Sequence, residues 1–301
     1  MRSKKLWLAL FLLLAGTTLT GCGFITKLRA RDSLNKGVRA FTEQKYDEAA
    51  KYFEEAIRLD PQFPVARMYL ATTYTSQFVP GSPDPKSAEM ADKAIETFKG
   101  VLEADKANPN INAMLSIASL YYQLKRYDDS KEWCAKIQQV DPQNAEALYR
   151  VAVIDFDDSL KKTGLQGENV EFLGTEERGH TLADIEEGLK ALERAIQLKP
   201  DYFDAMEYQN LLLREKAKFE KSEKAKAELI READKVAQRA LALRLRAQEE
   251  EAKKPKKLEP NRPPLQKKTG HRRPPFSFMY QSPYAPTCIF CSAVADSSIM
   301  D

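Results

Sequence analysis

One phrase recurs four times in this chain and constrains its fold more than any other feature. KYDEAAKYFEEAIRLDPQF (45–63), KAIETFKGVLEADKANP (93–109), RYDDSKEWCAKIQQVDPQN (126–144) and DIEEGLKALERAIQLKPDY (184–202) are versions of one amphipathic segment closed by a turn. In the first copy Ala49, Phe53, Ala56 and Ile57 stand at i, i+4, i+7 and i+8, which places them on one face of a helix. Asp60-Pro61 and Asp141-Pro142, with Lys199-Pro200 as a variant, stop the helices, because a residue before proline is held out of the α region. An aliphatic and aromatic helical stretch precedes each copy, so each unit is a pair of helices. A single pair cannot bury its apolar face, and at least about three must stack. The expected fold is all-α: a helix-turn-helix solenoid.

The small, aromatic and proline positions of the first unit are Gly37, Tyr46, Ala49, Phe53, Ala56 and Pro61. Those of the third are Ala118, Tyr121, Tyr127, Ile137 and Pro142, with Cys134 where an aromatic is usual. On these residues the chain resembles the tetratricopeptide repeat (TPR), a unit of about 34 residues, over 30–213. The resemblance implies about four repeats and a half. Two units are stretched, by insertions near 76–88, which holds Val79-Pro80-Gly81-Ser82-Pro83-Asp84-Pro85, and 160–183. Both fall between the first and second helices of their unit and should project from one edge. Two readings stand: that edge borders a binding surface, or loops tolerate length because closure entropy grows slowly. In 214–254 the residues Leu229, Ala233, Val236, Ala240, Leu243 and Ala247 form a narrow stripe. The segment reads as a capping helix over the last repeat, with a two-stranded coiled coil as the rival.

The first twenty-two residues carry a second resemblance. Arg2, Lys4 and Lys5 precede a ten-residue apolar run, Leu6 to Ala15, which is too short for a hydrocarbon core of ~30 Å. Leu19-Thr20-Gly21-Cys22 follows and resembles the lipobox of bacterial lipoproteins. That resemblance implies a signal peptide over 1–21, peptidase recognition through Leu19, Thr20 and Gly21, acylation of Cys22, and a linker over 22–29. The protein is then lipid-anchored in the bacterial envelope. Gly23 stands where an Asp would retain it at the inner membrane, which points to the periplasmic face of the outer membrane.

Composition narrows the chemistry. Four Cys in 301 residues exclude a disulfide scaffold, and two His make a His-rich metal site or a Ser/His/Asp hydrolase hard to build. The chain has no Gly-rich phosphate loop, GxSxG elbow or HExxH. The expectation is no enzyme, no catalytic residue, no cofactor and no metal. Cys134 reads as a small buried hydrophobe. The formal charge of +3 divides into three basic residues in 1–21, 35 basic against 41 acidic in 22–252, and nine basic against three acidic in 253–301. Residues 255–301 are proline-rich and read as a disordered basic tail that meets no nucleic acid, since the chain is exported. The tail's Cys288 and Cys291 give the alternative of a redox or metal-binding envelope protein, although zinc would need two more ligands and only His180 and His271 exist.

In TPR proteins the first helix of each unit lines a concave face that receives peptides or partner helices. Carried onto this chain, the groove positions are Arg31, Val38 and Phe41; Met68 and Thr72; Asn112, Ser119, Tyr122 and Gln123; and Glu146, Tyr149, Phe156 and Asp157. Aromatic anchors among polar groups suit a peptide. Phe41 and Tyr149 read equally well as half-buried packing residues. The resulting expectation is a membrane-anchored scaffold or adaptor for other proteins, in outer-membrane or pilus assembly, with a protein or peptide partner in the groove.

Overall fold

A computed structural model of the chain describes residues 23–253. The signal segment, Cys22, and the tail with Cys288 and Cys291 lie outside the described residues. Helix α1 is helical over residues 23–42. It is followed by α2 (Tyr46–Leu59), α3 (Pro64–Gln77), α4 (Pro85–Ala104), α5 (Ile111–Gln123), α6 (Tyr127–Val140) and α7 (Ala145–Thr163). A short 3₁₀ turn (Val170–Phe172) leads to α8 (Thr175–Leu198), α9 (Phe203–Ala217) and α10 (Glu223–Lys253). No strand occurs among the described residues. From α2 onward each helix packs on the next, and α7 also packs on α9. The architecture is a stack of five hairpins.

The repeated phrase produces repeated backbone. Asp60, Asp141 and Lys199, each before a proline, have φ/ψ of −137°/90°, −135°/88° and −135°/89°. The extended conformation that proline imposes therefore ends α2, α6 and α8 in the same way. Within the first and third hairpins, Gln44 and Lys125 both sit at φ 62°. The next amide closes a 6→1 bond, from Lys45 N–H to the Ala40 carbonyl and from Arg126 N–H to the Tyr121 carbonyl, each 2.9 Å. This is a left-handed helix C-cap, built here without glycine. Asn110 and Asn144 cap α5 and α7, accepting from the Ala113 and Ala147 amides at 3.0 Å.

Small residues let the helices meet. Ala49, Phe53 and Ala56 are fully buried, and the ring of Phe53 lies against Gly37 of α1. Cys134 is buried among Met114, Ala118 and Ile137, and desolvation pushes its thiol up to about 12, so it packs as a hydrophobe.

Three boundaries differ from the sequence reading. Residues 23–29, read as a linker, are the first turns of α1. The segment read as one cap over 214–254 is broken: 214–217 finish α9, and α10 starts at Glu223 after a turn that buries Phe219. Ala233 and Ala240 of α10 are buried, and Arg214–Asp234 (2.5 Å) and Arg244–Glu207 (2.5 Å) tie α10 to α9. The insertion at 160–183 is largely helical, extending α7 to Thr163 and starting α8 at Thr175. Its loop is tied down, because Arg178 donates to the carbonyls of Val170 (3.3 Å) and Phe219 (3.2 Å).

Candidate functional site

The first helices of the hairpins are α1, α3, α5, α7 and α9, and the predicted groove residues lie on the first four. At the N-terminal end Arg31 is exposed, while Val38 and Phe41 are half-buried against the cluster around Phe53. Phe41 meets Tyr46 edge-on at 5.4 Å, which favours the packing reading for this ring. Met68 packs beside the Ala71–Phe98 cluster, and Thr72 is half-buried next to it. Asn112 is exposed.

From α5 to α9 the structure joins the predicted residues into a continuous surface. Tyr122 of α5 donates its hydroxyl to Asp157 Oδ2 of α7 at 2.5 Å, across 35 residues of sequence. Beside it Gln123 donates to Ser119 Oγ at 3.1 Å. Lys125 lies over the rings of Tyr122 and Tyr127 at 5.6 and 5.8 Å. Further along, Tyr149 and Phe156 of α7 meet the edge of Tyr208 of α9 at 5.4 and 5.7 Å, and Tyr149 also packs on Tyr202 at 5.2 Å. Glu146 holds Arg150 at 2.9 Å and accepts from the Tyr202 hydroxyl at 2.8 Å. Five aromatic rings thus lie along α5, α7 and the start of α9, with Tyr122 held by Asp157 and Tyr202 by Glu146.

The electrostatics follow from burial, with Tyr202 and Tyr208 buried and Tyr122 and Tyr149 half-buried. Desolvation, reinforced at Tyr122 by Asp157 and at Tyr202 by Glu146, raises the phenols of Tyr122, Tyr149, Tyr202 and Tyr208. All four remain neutral hydrogen-bonding groups across the physiological range. Burial also raises Asp157, against the hydrogen bond from Tyr122 and the charge of Lys125. Asp204 and Glu207 at the start of α9 are raised by burial and held down in part by Arg244. Such a face offers aromatic edges, neutral hydroxyls and carboxylates held by hydrogen bonds or ion pairs.

Sequence reasoning missed Tyr202, Tyr208 and Lys125, because the groove register was not carried into α9 or into the turns. It also missed a buried charge behind this face. Asp155 is fully buried, with Lys131 Nζ 2.5 Å from its Oδ1. Asp184 lies 3.7 Å from the same ammonium, and one oxygen each of Asp155, Asp184 and Glu187 lie within 4.8 Å of one another. Burial pushes Asp155 up to about 7 despite Lys131. The visible signal was a single Asp inside the apolar run Val151 to Phe156. Three carboxylates in this arrangement would suit a cation, and the Lys131 ammonium supplies one.

The hairpin stack and its aromatic first-helix face define a helical-repeat solenoid. Family models described as tetratricopeptide repeat match residues 30–63 and 87–152, so these two segments carry TPR units. No curated protein matches the sequence. Among solved structures, the crystal structure of MamA is 16% identical, with 77% of this chain and 98% of MamA covered and a TM-score of 0.50. MamA 41-end from Desulfovibrio magneticus RS-1 is 14% identical, with coverages of 73% and 97% and a TM-score of 0.49. YrrB, described as a TPR protein with an unusual peptide-binding site, is 14% identical, with coverages of 72% and 90% and a TM-score of 0.45. At 16% identity and a TM-score of 0.50 the likeness to MamA is one of fold.

Proposed function

We propose that this protein is a membrane-tethered adaptor of the bacterial envelope, whose TPR solenoid binds a segment of another protein along its first-helix face. The observation that carries the reading is the half-buried row Tyr122, Tyr149, Phe156 and Asp157 on α5 and α7, backed by the buried ring of Tyr208 of α9. A partner laid across it meets rigid aromatic edges, which contribute contact area at little entropic cost, and a Tyr122 hydroxyl already oriented by Asp157. The lipobox-like Leu19-Thr20-Gly21-Cys22 supports the tether. Two acyl chains hold a protein stably at a membrane where one gives only marginal binding.

A photo-crosslinking amino acid placed at Thr72, Asn112 or Gln123 should capture a discrete partner in the native envelope, identified by mass spectrometry. The same group at Lys93 or Glu96, exposed on the second helix α4, should capture none. Equal capture from both faces would overturn the assignment of the face. The tether is tested separately, because the N-terminal peptide of the purified protein should begin at an acylated Cys22. An unmodified N-terminus at another residue would refute it.

A further inference from the structure

The first turns of α1 carry an apolar surface that the solenoid does not use. Gly37 of α1 faces Phe53 of α2, so in this antiparallel hairpin the last residue of α2, Leu59, comes level with residue 31. Residues 23–29 therefore extend beyond α2 by about 10 Å, at 1.5 Å per residue. On this overhang Phe24, Ile25 and Leu28 are 66%, 51% and 48% exposed. They are not a continuation of the core stripe. At about 100° per residue the buried positions Ala30, Ser33, Gly37 and Ala40 share one side of α1, and the triplet points roughly 150° away from them. Lys27 and Arg31 border the triplet on one side and Arg29 on the other, all exposed. No acidic residue occurs between 23 and 31; the first, Asp32, is paired with Lys36 at 2.7 Å.

A compact apolar triplet flanked by basic side chains, on a helix that carries it away from the core, has the makeup of an interfacial membrane helix. We infer that residues 23–31 lie against an anionic lipid bilayer, with Phe24, Ile25 and Leu28 at the acyl boundary and Lys27, Arg29 and Arg31 among the headgroups. Charge complementarity selects this occupant over a second copy of the chain, whose overhang would bring three more positive charges to the same place. The position in the chain agrees, because the overhang directly follows the segment with the apolar run and Cys22. The inference rests on the tether reading only for delivery of this end to the bilayer, since the contact itself needs no acyl chain. With α1 helical from residue 23, such a contact fixes how the solenoid is held relative to the membrane instead of leaving it on a loose leash.

The test uses residues 22–253 with Cys22→Ser, which cannot be acylated. Among the described residues all buried ones lie between Ala30 and Ala240, inside a compact unit that ends at Lys253. The basic tail, which would bind anionic vesicles on its own account, is left out. Co-sedimentation with vesicles of phosphatidylglycerol and phosphatidylcholine should show binding that phosphatidylcholine alone does not support. Each basic residue near an anionic surface strengthens binding about fivefold, so Lys27→Gln/Arg29→Gln/Arg31→Gln should weaken it on the order of 100-fold. Phe24→Ser/Ile25→Ser/Leu28→Ser should weaken it by a similar factor. Both variants should keep the parent's Tm, because every substituted residue is exposed. Failure of the parent to bind anionic vesicles, or undiminished binding of either variant, would overturn the inference. So would a parent dimer that the apolar variant converts to a monomer. None of these outcomes bears on whether Cys22 is acylated in the cell, which the N-terminal peptide decides.

Discussion

Gly37→Ala tests whether close helix approach, rather than helix propensity, governs the first hairpin. In the interior of a helix the change from Gly to Ala gains about 0.5–1 kcal/mol. Here a Cβ would lie 2.5, 2.7 and 2.9 Å from Cε1, Cδ1 and Cζ of Phe53. Carbon pairs settle at about 3.5–4.0 Å, so the ring or the helix must move by about 1 Å. The ring has little freedom to do so: it is fully buried, and Tyr69 stacks on it at 5.4 Å with an interplanar angle of 18°. Overpacking of this kind costs roughly 1–3 kcal/mol, so the balance is a loss of about 0–2.5 kcal/mol. Urea unfolding followed by circular dichroism measures it, and hydrogen exchange should localise the loss to α1 and α2, since repeat arrays open unit by unit. Gly179→Ala, on the exposed side of α8 with no atom within 4 Å, is the control and should gain about 0.5–1 kcal/mol. Phe53→Leu in the Gly37→Ala background should recover part of the loss. If Gly37→Ala stabilises the protein as Gly179→Ala does, the close-approach argument is wrong.

The buried acid behind the face gives a pH prediction. The carboxyl of Asp155 is raised from 3.8 to about 7, so its contribution to stability is complete below about pH 4 and is lost as the pH rises to about 7, a change on the order of 4 kcal/mol at most. Asp155→Asn, with Lys131, Asp184 and Glu187 left in place, should therefore become more stable relative to wild type as the pH rises through that window; a constant difference would refute the assignment. Glu215 is 3% exposed, accepts from Thr163 at 2.8 Å and pairs with Lys218 at 2.5 Å. Glu215→Ala leaves the Lys218 ammonium without a counter-charge, held only by the Gly164 carbonyl at 2.7 Å and Thr163 Oγ1 at 3.3 Å, and should cost roughly 3–5 kcal/mol in urea unfolding, with faster hydrogen exchange across 164–174. Tyr122→Phe removes the donor that holds Asp157 down against its burial, so the carboxyl should titrate at higher pH in an NMR titration. An unchanged titration would show that the phenol does not carry that role.

The parts of this molecule that a reader of the sequence recovers are those encoded within one turn or one hairpin. The three pre-proline residues that end α2, α6 and α8 take the same φ/ψ because proline acts on its immediate neighbour. The buried face of Ala49, Phe53 and Ala56 follows from helical spacing alone. Boundaries were lost where local signals fall silent. Between Arg214 and Lys254 there is neither glycine nor proline, and the break shows only as Phe219 among charged residues and a Ser222 whose Oγ accepts from the Ala225 amide at 3.4 Å. Residues 23–29 were read as a linker because the lipobox resemblance implies one after Cys22, yet no proline between Gly23 and Thr42 breaks a helix. The register of the face could be carried over residue by residue, but its partnerships could not. Tyr122 and Asp157 are 35 residues apart, and Thr163 and Glu215 are 52 apart. Each such pair depends on the angle at which one hairpin sits on the next, which is fixed by the volume of interface residues such as Gly188. A Cβ there would lie 2.7 Å from Leu212 Cδ1 and 3.1 Å from Asp155 Oδ2. One methyl group at that position would move α8, α9 and the buried charge together, so the geometry of the face is written in the small residues between repeats more than in the aromatic residues that form it.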